Sequence, residues 1–153
     1  MFSLGIEMEN KRASSPSSGI ARAYRHTTYR VDHPDGSFGI RLGVRCRRLD
    51  TLLALHRVNC WAYVTAWNPG SEKLADENNR LRNAALRERI VRDGYVVYPG
   101  RGEPDAGDWV AEESFLILGM AAAVATQLGA QFGQHAVLVG RAGGQAELRW
   151  CGA

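Results

Sequence analysis

The stretch that decides the fold is residues 60–67, CWAYVTAW, followed directly by the turn sequence Asn68-Pro69-Gly70-Ser71. In an extended chain successive side chains point to opposite faces, and in this stretch both faces are almost entirely apolar. A strand with two apolar faces is typical of the centre of a sheet that is covered on both sides. The chain is therefore expected to centre on one buried strand that ends abruptly at residue 68.

The segments on either side of this strand alternate between strand and helix patterns. The predicted elements around the central strand are a hairpin over 27–31 and 38–42 around the turn sequence HPDGS, a helix on the stripe Leu49, Leu52, Leu53 and His56, a helix over 76–92 that Gly94 ends, a strand over 95–98, a loop over 99–108, a strand over 114–118, a helix on the stripe Ala121, Val124, Ala125 and Leu128, and strands over 136–140 and 146–150. This order, ββαβαββαββ, predicts an α/β (α+β-like) fold, a mixed sheet of about seven strands with three helices.

The length and composition are those of one globular domain. The chain has 153 residues, of which 45% are apolar and 23% charged. Residues 1–19 end in the Ser/Pro/Gly-rich RASSPSSG and are expected to be a mobile tail, with a single domain over 20–153. The sequence shows neither an apolar run long enough to span a bilayer nor a secretory signal pattern, so we expect a cytoplasmic protein with no membrane partner.

The spacing of the cysteines and histidines favours neither a disulfide framework nor a metal site. Cys46, Cys60 and Cys151 are odd in number and widely separated, and the four histidines show no metal-ligand spacing. We therefore expect no metal site, and the sequence indicates no particular cofactor.

The positive charge is carried by 17 Arg and two Lys, for a net charge of +3. Arginine binds carboxylates and phosphates with a planar fork, so this bias could reflect an anionic ligand, or simply a GC-rich genome. The densest run, in residues 41–48, has almost no interleaved aromatic side chains and is interpreted as a solvated face. We expect no strong binding to nucleic acid.

The helix over 76–92 has a polar inner edge. Asn79, Arg82, Leu86 and Ile90 share one face of it, apolar in the second half and polar in the first. This helix follows the turn that ends the central strand, and strand ends next to helix N-termini often hold ligands. Either these polar groups line a pocket, or they cap the helix and pair with nearby carboxylates.

Two residues from other segments join this candidate site. Gln134 follows Gly133 at the end of a predicted helix, where it either contacts a ligand or bonds the last helix carbonyls. Glu113 precedes an apolar strand and is expected to turn inward toward Arg82. That pair would be either a structural ion pair or part of a site.

Six ordered segments resemble the uncharacterised bacterial family known as domain of unknown function 3293. The resemblance covers about residues 24–147, most of the chain. The segments are Thr27-Thr28-Tyr29-Arg30-Val31, Val64-Thr65-Ala66-Trp67-Asn68-Pro69, Glu77-Asn78 with Arg82, Gly94-Tyr95 with Tyr98-Pro99-Gly100, Trp109 with Glu112-Glu113-Ser114, and Phe132-Gly133-Gln134-His135-Ala136. The resemblance implies recurring polar positions but no established activity, and those positions are Thr65, Asn68, Glu77, Asn78, Arg82, Glu113 and Gln134.

Two hypotheses about function follow. In the first, the domain binds a small anionic or nucleotide-like ligand, with or without catalysis, in a polar pocket at the strand ends. In the second, it is a non-enzymatic protein-interaction or regulatory module whose polar residues hold the core together. The sequence does not determine the oligomeric state or whether the protein is an enzyme. The residues predicted to bind the ligand are Thr65, Asn68, Asn78, Arg82, Glu113 and Gln134.

Overall fold

One sheet of seven strands, with four α-helices packed around it, makes up the part of the chain that the structure describes. The structure is a computed structural model, and it describes residues 15–106 and 110–152. The elements are α1 (Ser15–Arg25), β1 (Thr27–Val31), β2 (Phe38–Ile40), α2 (Arg47–Leu55), β3 (Cys60–Val64), a short 3-10 helix (Pro69–Ser71), α3 (Asp76–Arg92), β4 (Val96–Pro104), β5 (Glu112–Leu118), α4 (Ala122–Gln131), β6 (Ala136–Arg141) and β7 (Glu147–Trp150). The predicted α/β class, the single sheet of seven strands and the order of strands and helices along the chain from β1 onward are confirmed.

The strand order across the sheet is β2-β1-β4-β5-β3-β6-β7, and all six pairings are antiparallel. The alternating sequence pattern had predicted a mixed sheet. The difference arises because the crossovers through α3 and α4 each join two strands that run in the same direction but have another strand inserted between them. Helix α3 connects β3 to β4 across β5, and α4 connects β5 to β6 across β3. The parallel relationship is thus present without parallel pairing.

The sheet curls until its two edge strands come together at one end. Just beyond β2, Leu42 forms a parallel bridge with Ala146, and Arg45 forms an antiparallel bridge with Gln145. The amide of Gly43 donates to the carbonyl of Ala146 at 2.8 Å. The first and last strands of the sheet are therefore neighbours in space.

Each face of the sheet has its own hydrophobic core, and alternate residues of β3 contribute to the two cores. Trp61 and Tyr63 point into the interior of the curl, which α2 closes with three buried leucines. Ala62 and Val64 point to the outer face, where α3 and α4 pack. The buried strand predicted from residues 60–67 is confirmed over residues 60–64, covered on both sides. It is the fifth of the seven strands, next to the central strand β5.

Strand β4 replaces most of the loop that was predicted over residues 99–108. Its glycines suggested a turn, but Gly100 lies where the neighbouring main chain comes too close for any side chain. A Cβ atom on Gly100 would overlap the carbonyl oxygen of Arg30, which also accepts a 2.7 Å hydrogen bond from the Tyr63 hydroxyl. Gly100 is required by this close approach of β1 and β4, and the prediction of a loop at residues 99–104 was wrong.

The additional helix, α1, begins at Ser15, inside the stretch predicted to be a tail. Residues 1–14 lie outside the described residues. Proline is tolerated in the first turn of a helix, so Pro16 does not prevent α1 from forming. The helix is attached through Tyr24, whose hydroxyl donates to the carbonyl of Ala136 at 3.1 Å and whose ring stacks on Tyr29 at 6.2 Å. The fold thus has one helix more than the three predicted.

Candidate functional site

The main chain leaves the sheet just after β3, and the N–H and C=O groups of the residues that follow have no neighbouring strand to pair with. Side chains take the place of that strand for residues 66–68. The three N–H groups of these residues donate to side chains, and the carbonyl oxygens of Ala66 and Trp67 accept from side chains. Unpaired buried backbone groups are costly, so this replacement allows the chain to turn inside the protein. We call the side chains involved the polar cluster: Thr65, Asn68, Asn79, Arg82, Asn83 and Gln134.

Adjacent residues of α3, Arg82 and Asn83, hold three segments together. The Asn83 amide accepts from the N–H of Ala66 and donates to the carbonyl of Glu113, both at 2.8 Å. The Arg82 guanidinium donates to the carbonyls of Ala66 at 2.9 Å and Phe132 at 2.6 Å. Helix α3 is thereby joined to the exit of β3, the start of β5 and the end of α4.

Asn79 and Asn68 bond reciprocally and fix an unusual turn. Asn79 is 1% exposed. Its oxygen accepts from the N–H of Asn68 and its nitrogen donates to the side-chain oxygen of Asn68, both at 2.8 Å, while the N–H of Leu74 donates to that same oxygen at 2.9 Å. Asn68, Gly70 and Ser71 all have left-handed backbones, with φ of 46°, 64° and 63°. The asparagine pair supports a turn that the local sequence would not hold alone.

Thr65 and Gln134 complete the cluster from opposite sides of the exit. The Thr65 hydroxyl donates to the carbonyl of Glu113 at 2.6 Å and accepts from the N–H of Trp67 at 3.1 Å. The Gln134 amide donates to the carbonyls of Trp67 at 3.2 Å and Phe132 at 3.3 Å. The interpretation of Gln134 as a residue that bonds a helix-end carbonyl is therefore supported by its contacts.

Four of the six predicted site residues come together, and two do not join them through their side chains. Thr65, Asn68, Arg82 and Gln134 are members of the polar cluster. Asn78 is exposed. Glu113 is also exposed and contributes only its main-chain carbonyl. In the described part of the chain Arg82 forms no ion pair with Glu113, so the inward-turned pair expected from the sequence is not present.

The acidic side chain that does turn inward is Glu112. Along β5 alternate residues share a face, which places Glu112 with the buried Ser114 and Leu116 on the interior side. The sequence favoured Glu113 as the inward-turned residue, but the register of β5 turns Glu112 inward and leaves Glu113 exposed. Asn79 and Asn83 were also left out of the predicted site, although the helical face had already placed Asn79 in line with Leu86.

The negative charge of the Glu112 carboxylate has few compensating contacts. The carboxylate forms no ion pair with a described residue, and it accepts one long hydrogen bond, 3.4 Å, from the amide of Asn68. Burial raises the pKa of Glu112 above its ordinary value, and the bond from Asn68 only partly opposes this. Desolvated carboxyl groups of this kind are common at binding and catalytic sites.

Two tyrosine rings lie beside this carboxylate. Burial raises the pKa of Tyr24 and Tyr29 well above the usual range, and the charge of Glu112 contributes to both shifts. The register places Tyr29 opposite Gly102, and Gly102 opposite Glu112. Gly102 has no side chain, and the Tyr29 ring lies 3.7 Å from the position that a Cβ on Gly102 would take. Glu112 is the next residue in the same row.

The N-terminus of α3 is already occupied by negative charge. Asp76 and Glu77 stand in its first turn, where they offset the positive end of the helix dipole. Both side chains are exposed. An anion approaching this helix end would meet two carboxylates before it reached the free N–H groups.

The arginine-rich run at residues 41–48 is largely engaged with the protein itself. Arg41 donates to both oxygens of Asp105, at 2.9 and 2.8 Å, and holds the pKa of that carboxyl below its ordinary value. Arg45 pairs with Asp50 at 2.7 Å, and Arg48 donates to the carbonyl of Gly36 at 2.8 Å. These contacts reduce the number of guanidinium groups available to phosphates.

Other features of the described residues bear less directly on function. Cys46, Cys60 and Cys151 are free thiols, and burial raises the pKa of Cys151 to about 11. Within residues 15–106 and 110–152, no group of three or more His, Cys, Asp or Glu side chains is placed to hold a metal ion. None of the helices described is long and apolar enough to cross a membrane. A shallow cleft of about 410 Å³ lies at the opposite end of β3, lined by residues 57–60 and Gly119.

Together these features define a single-domain α/β protein built on a curled antiparallel sheet, with a polar cluster at one end. Residues 64–137 match the family model described as Protein of unknown function (DUF3293). The resemblance seen in the sequence is confirmed over that range, which contains α3, β5 and the whole polar cluster. No curated protein and no solved structure matches the chain.

Proposed function

We propose that this protein binds a small ligand at the end of the sheet where β3 ends and β5 begins, which we call the Glu112 end. The observation that carries the proposal is the half-buried carboxylate of Glu112, which has no cationic partner among the described residues and one long hydrogen bond. Other acidic groups, such as Asp50 and Asp105, pair with arginine although they lie nearer the surface. A desolvated, unpaired carboxylate costs free energy in the absence of a ligand, which is typical of a binding site.

The polar cluster has a supporting role in this proposal. Its side chains form hydrogen bonds mainly with the main chain. They therefore fix the position of Asn68 beside Glu112 and do not extend toward a ligand. Binding sites are held in place by such supporting contacts. This assigns different roles to Glu112, which would touch the ligand, and to Arg82, which would not.

The anionic or nucleotide-like ligand expected from the sequence stays a prediction, and three features of the site weigh against it. Glu112 is itself negative, Asp76 and Glu77 occupy the helix end, and the bonds from Arg82 go to two carbonyls. The second hypothesis, an interaction or regulatory module with a structural cluster, is favoured by one observation. Each member of the cluster is bonded to other residues of the chain, as that hypothesis requires.

A titration followed by amide NMR separates these hypotheses. The full chain, labelled with ¹⁵N, would be titrated separately with inorganic phosphate, ATP with Mg²⁺, glucose, butyrate and n-butylammonium. We expect at least one compound to shift the side-chain amide of Asn68 and the amide of Gly102 in a saturable way. The Glu112→Gln variant should lose the response, and Glu113→Gln, its exposed neighbour on the same strand, should keep it.

The opposite outcomes contradict the proposal. If no compound in the panel produces saturable shifts, the module hypothesis is preferred. If saturable shifts appear instead around residues 57–60, the cleft at the other end of β3 is the binding site. Equal responses in the two glutamate variants would also remove Glu112 from the site.

A further inference from the structure

The immediate surroundings of Glu112 indicate the chemistry of a ligand that would fit there. Four strands contribute to one row across the interior of the curl: Ile40 of β2, Tyr29 of β1, Gly102 of β4 and Glu112 of β5. The first two positions are filled by buried side chains, and the third has none. The carboxylate therefore stands beside a gap whose other wall is an aromatic ring.

The gap at Gly102 has room for one methyl-sized group. A Cβ atom built on Gly102 would have its nearest neighbours at 3.6 Å, on Thr27, and at 3.7 Å, on the Tyr29 ring. Those are ordinary van der Waals distances. Gly100, two residues earlier on the same strand and the same face, offers no such room. The row thus has no room for a side chain at Gly100 and room for one methyl-sized group at Gly102, which adjoins Glu112.

A carboxylate and an aromatic ring together recognise positive charge. The ring face carries negative electrostatic potential and attracts ammonium and guanidinium groups, most strongly where water is partly excluded. The Tyr24 ring stacks on Tyr29 at 6.2 Å and extends this aromatic surface from α1. The chain places no cation of its own against Glu112 among the described residues, although 17 arginines were available to do so.

We propose that the Glu112 end binds a small organic ammonium ion, held by the Glu112 carboxylate, the Tyr29 ring and the space above Gly102. This inference rests on the proposed ligand-binding function and reverses the ligand charge that the sequence suggested. The ammonium group would donate a hydrogen bond to the carboxylate and lie against the Tyr29 ring, and the organic part of the ligand would point toward Tyr24. The bond from Asn68 would remain and orient the second carboxylate oxygen.

The test uses two probes of similar size and opposite charge, n-butylammonium and butyrate, with the full chain. We expect n-butylammonium to bind in a saturable way by amide NMR, at Gly102 and Asn68, and butyrate to give no saturable shift there. Glu112→Gln should weaken n-butylammonium binding at least about tenfold, while Glu113→Gln should leave it within about twofold.

A second variant, which leaves the charge of Glu112 unchanged, separates the role of the space at Gly102 from indirect effects of removing that charge. Gly102→Ala fits the fold because its Cβ meets its neighbours at 3.6 Å or more. It retains the carboxylate but fills the gap, so it should also weaken n-butylammonium binding while the far-ultraviolet circular dichroism stays unchanged. A correctly folded Gly102→Ala variant that binds as tightly as the original protein overturns the inference.

The outcomes separate the inference from the proposed function. Saturable binding of phosphate, ATP, glucose or butyrate at the same amides, without n-butylammonium, overturns the ammonium inference and leaves the ligand-binding proposal standing. If none of the five compounds binds, both are overturned. Binding of n-butylammonium that Glu112→Gln and Glu113→Gln weaken equally is general charge attraction, and it also overturns the inference.

Discussion

Replacing Asn79 with alanine tests whether side chains of α3 stand in for the missing strand at the exit of β3. Asn79 is 1% exposed and makes two 2.8 Å hydrogen bonds with Asn68, one to its N–H and one to its side-chain oxygen. Alanine removes both bonds and leaves the N–H of Asn68 without its partner. The next residue toward the N-terminus, Asn78, is exposed on the same helix and provides a matched control.

The expected loss of stability in Asn79→Ala follows from these contacts. An orphaned N–H group in a partly buried position costs about 1–3 kcal/mol, and the second lost bond adds about 1 kcal/mol. Alanine is the better helix former and returns up to about 0.7 kcal/mol. We therefore expect Asn79→Ala to lower the free energy of unfolding by about 2–3 kcal/mol. For a domain of this length that corresponds to a melting temperature lower by about 5–10 °C. Asn78→Ala should change the free energy by no more than about 0.5 kcal/mol.

Urea unfolding followed by tryptophan fluorescence measures both variants, and Trp67 lies within the exit segment. Equal m-values would show that the same transition is compared. If the two variants differ by less than about 0.5 kcal/mol, the hydrogen bonds of Asn79 do not support the exit from β3. The role assigned to the whole polar cluster would then be wrong.

Three further predictions concern charged groups. Arg82→Ala should lower the free energy of unfolding by about 2–4 kcal/mol, because two charge-assisted hydrogen bonds are lost, whereas Glu113→Gln should leave it unchanged. If chemical denaturation shows equal losses for the two variants, the ion pair expected from the sequence is present after all. The pKa of Glu112 is raised in the folded state, so its stabilising contribution is complete below the ordinary Glu value of about 4.3 and is lost as pH rises through the folded-state pKa. Glu112→Gln should therefore raise the melting temperature at neutral pH and lose that advantage in acid; an equal gain at both pH values contradicts the assignment. Oligonucleotides should bind only weakly at physiological salt by fluorescence anisotropy, and sub-micromolar binding that is lost on replacing the arginines of residues 41–48 with alanine would refute this.

The sequence was most informative where one periodicity dominated. The doubly apolar run at residues 60–67 placed the buried strand β3, and α3 was predicted over the residues that form it. Prediction failed where a local sequence feature is explained by contacts with residues distant in the chain. The glycines at 100 and 102 resemble a loop in sequence, yet they lie in a strand that the side chains of Tyr63 and Tyr29 approach closely. No local pattern reports that approach.

The candidate site shows the same division. The helical face identified Asn79 and Arg82 as inward-facing polar residues, and their contacts follow from that placement. The sequence pointed to Glu113 as the inward-turned glutamate, whereas the structure turns Glu112 inward, because the choice depends on a one-residue register in β5. It also suggested that Arg82 would pair with a carboxylate, whereas main-chain carbonyls exposed by the end of β3 are its partners.

The meeting of β2 and β7 affects how the protein behaves at high concentration. An open sheet edge presents unpaired N–H and C=O groups that can template pairing with another chain, and proteins shorten or cover such edges. Here β2 has three residues and β7 four, and the bridges beside Leu42 and Ala146 occupy their adjoining ends. The remaining edge of β7 carries Glu147 and Arg149, which pair with each other at 2.9 Å. Short, charged and partly joined edges disfavour intermolecular strand addition, so this curled sheet is protected against aggregation by the same bridges that bring its two edges together.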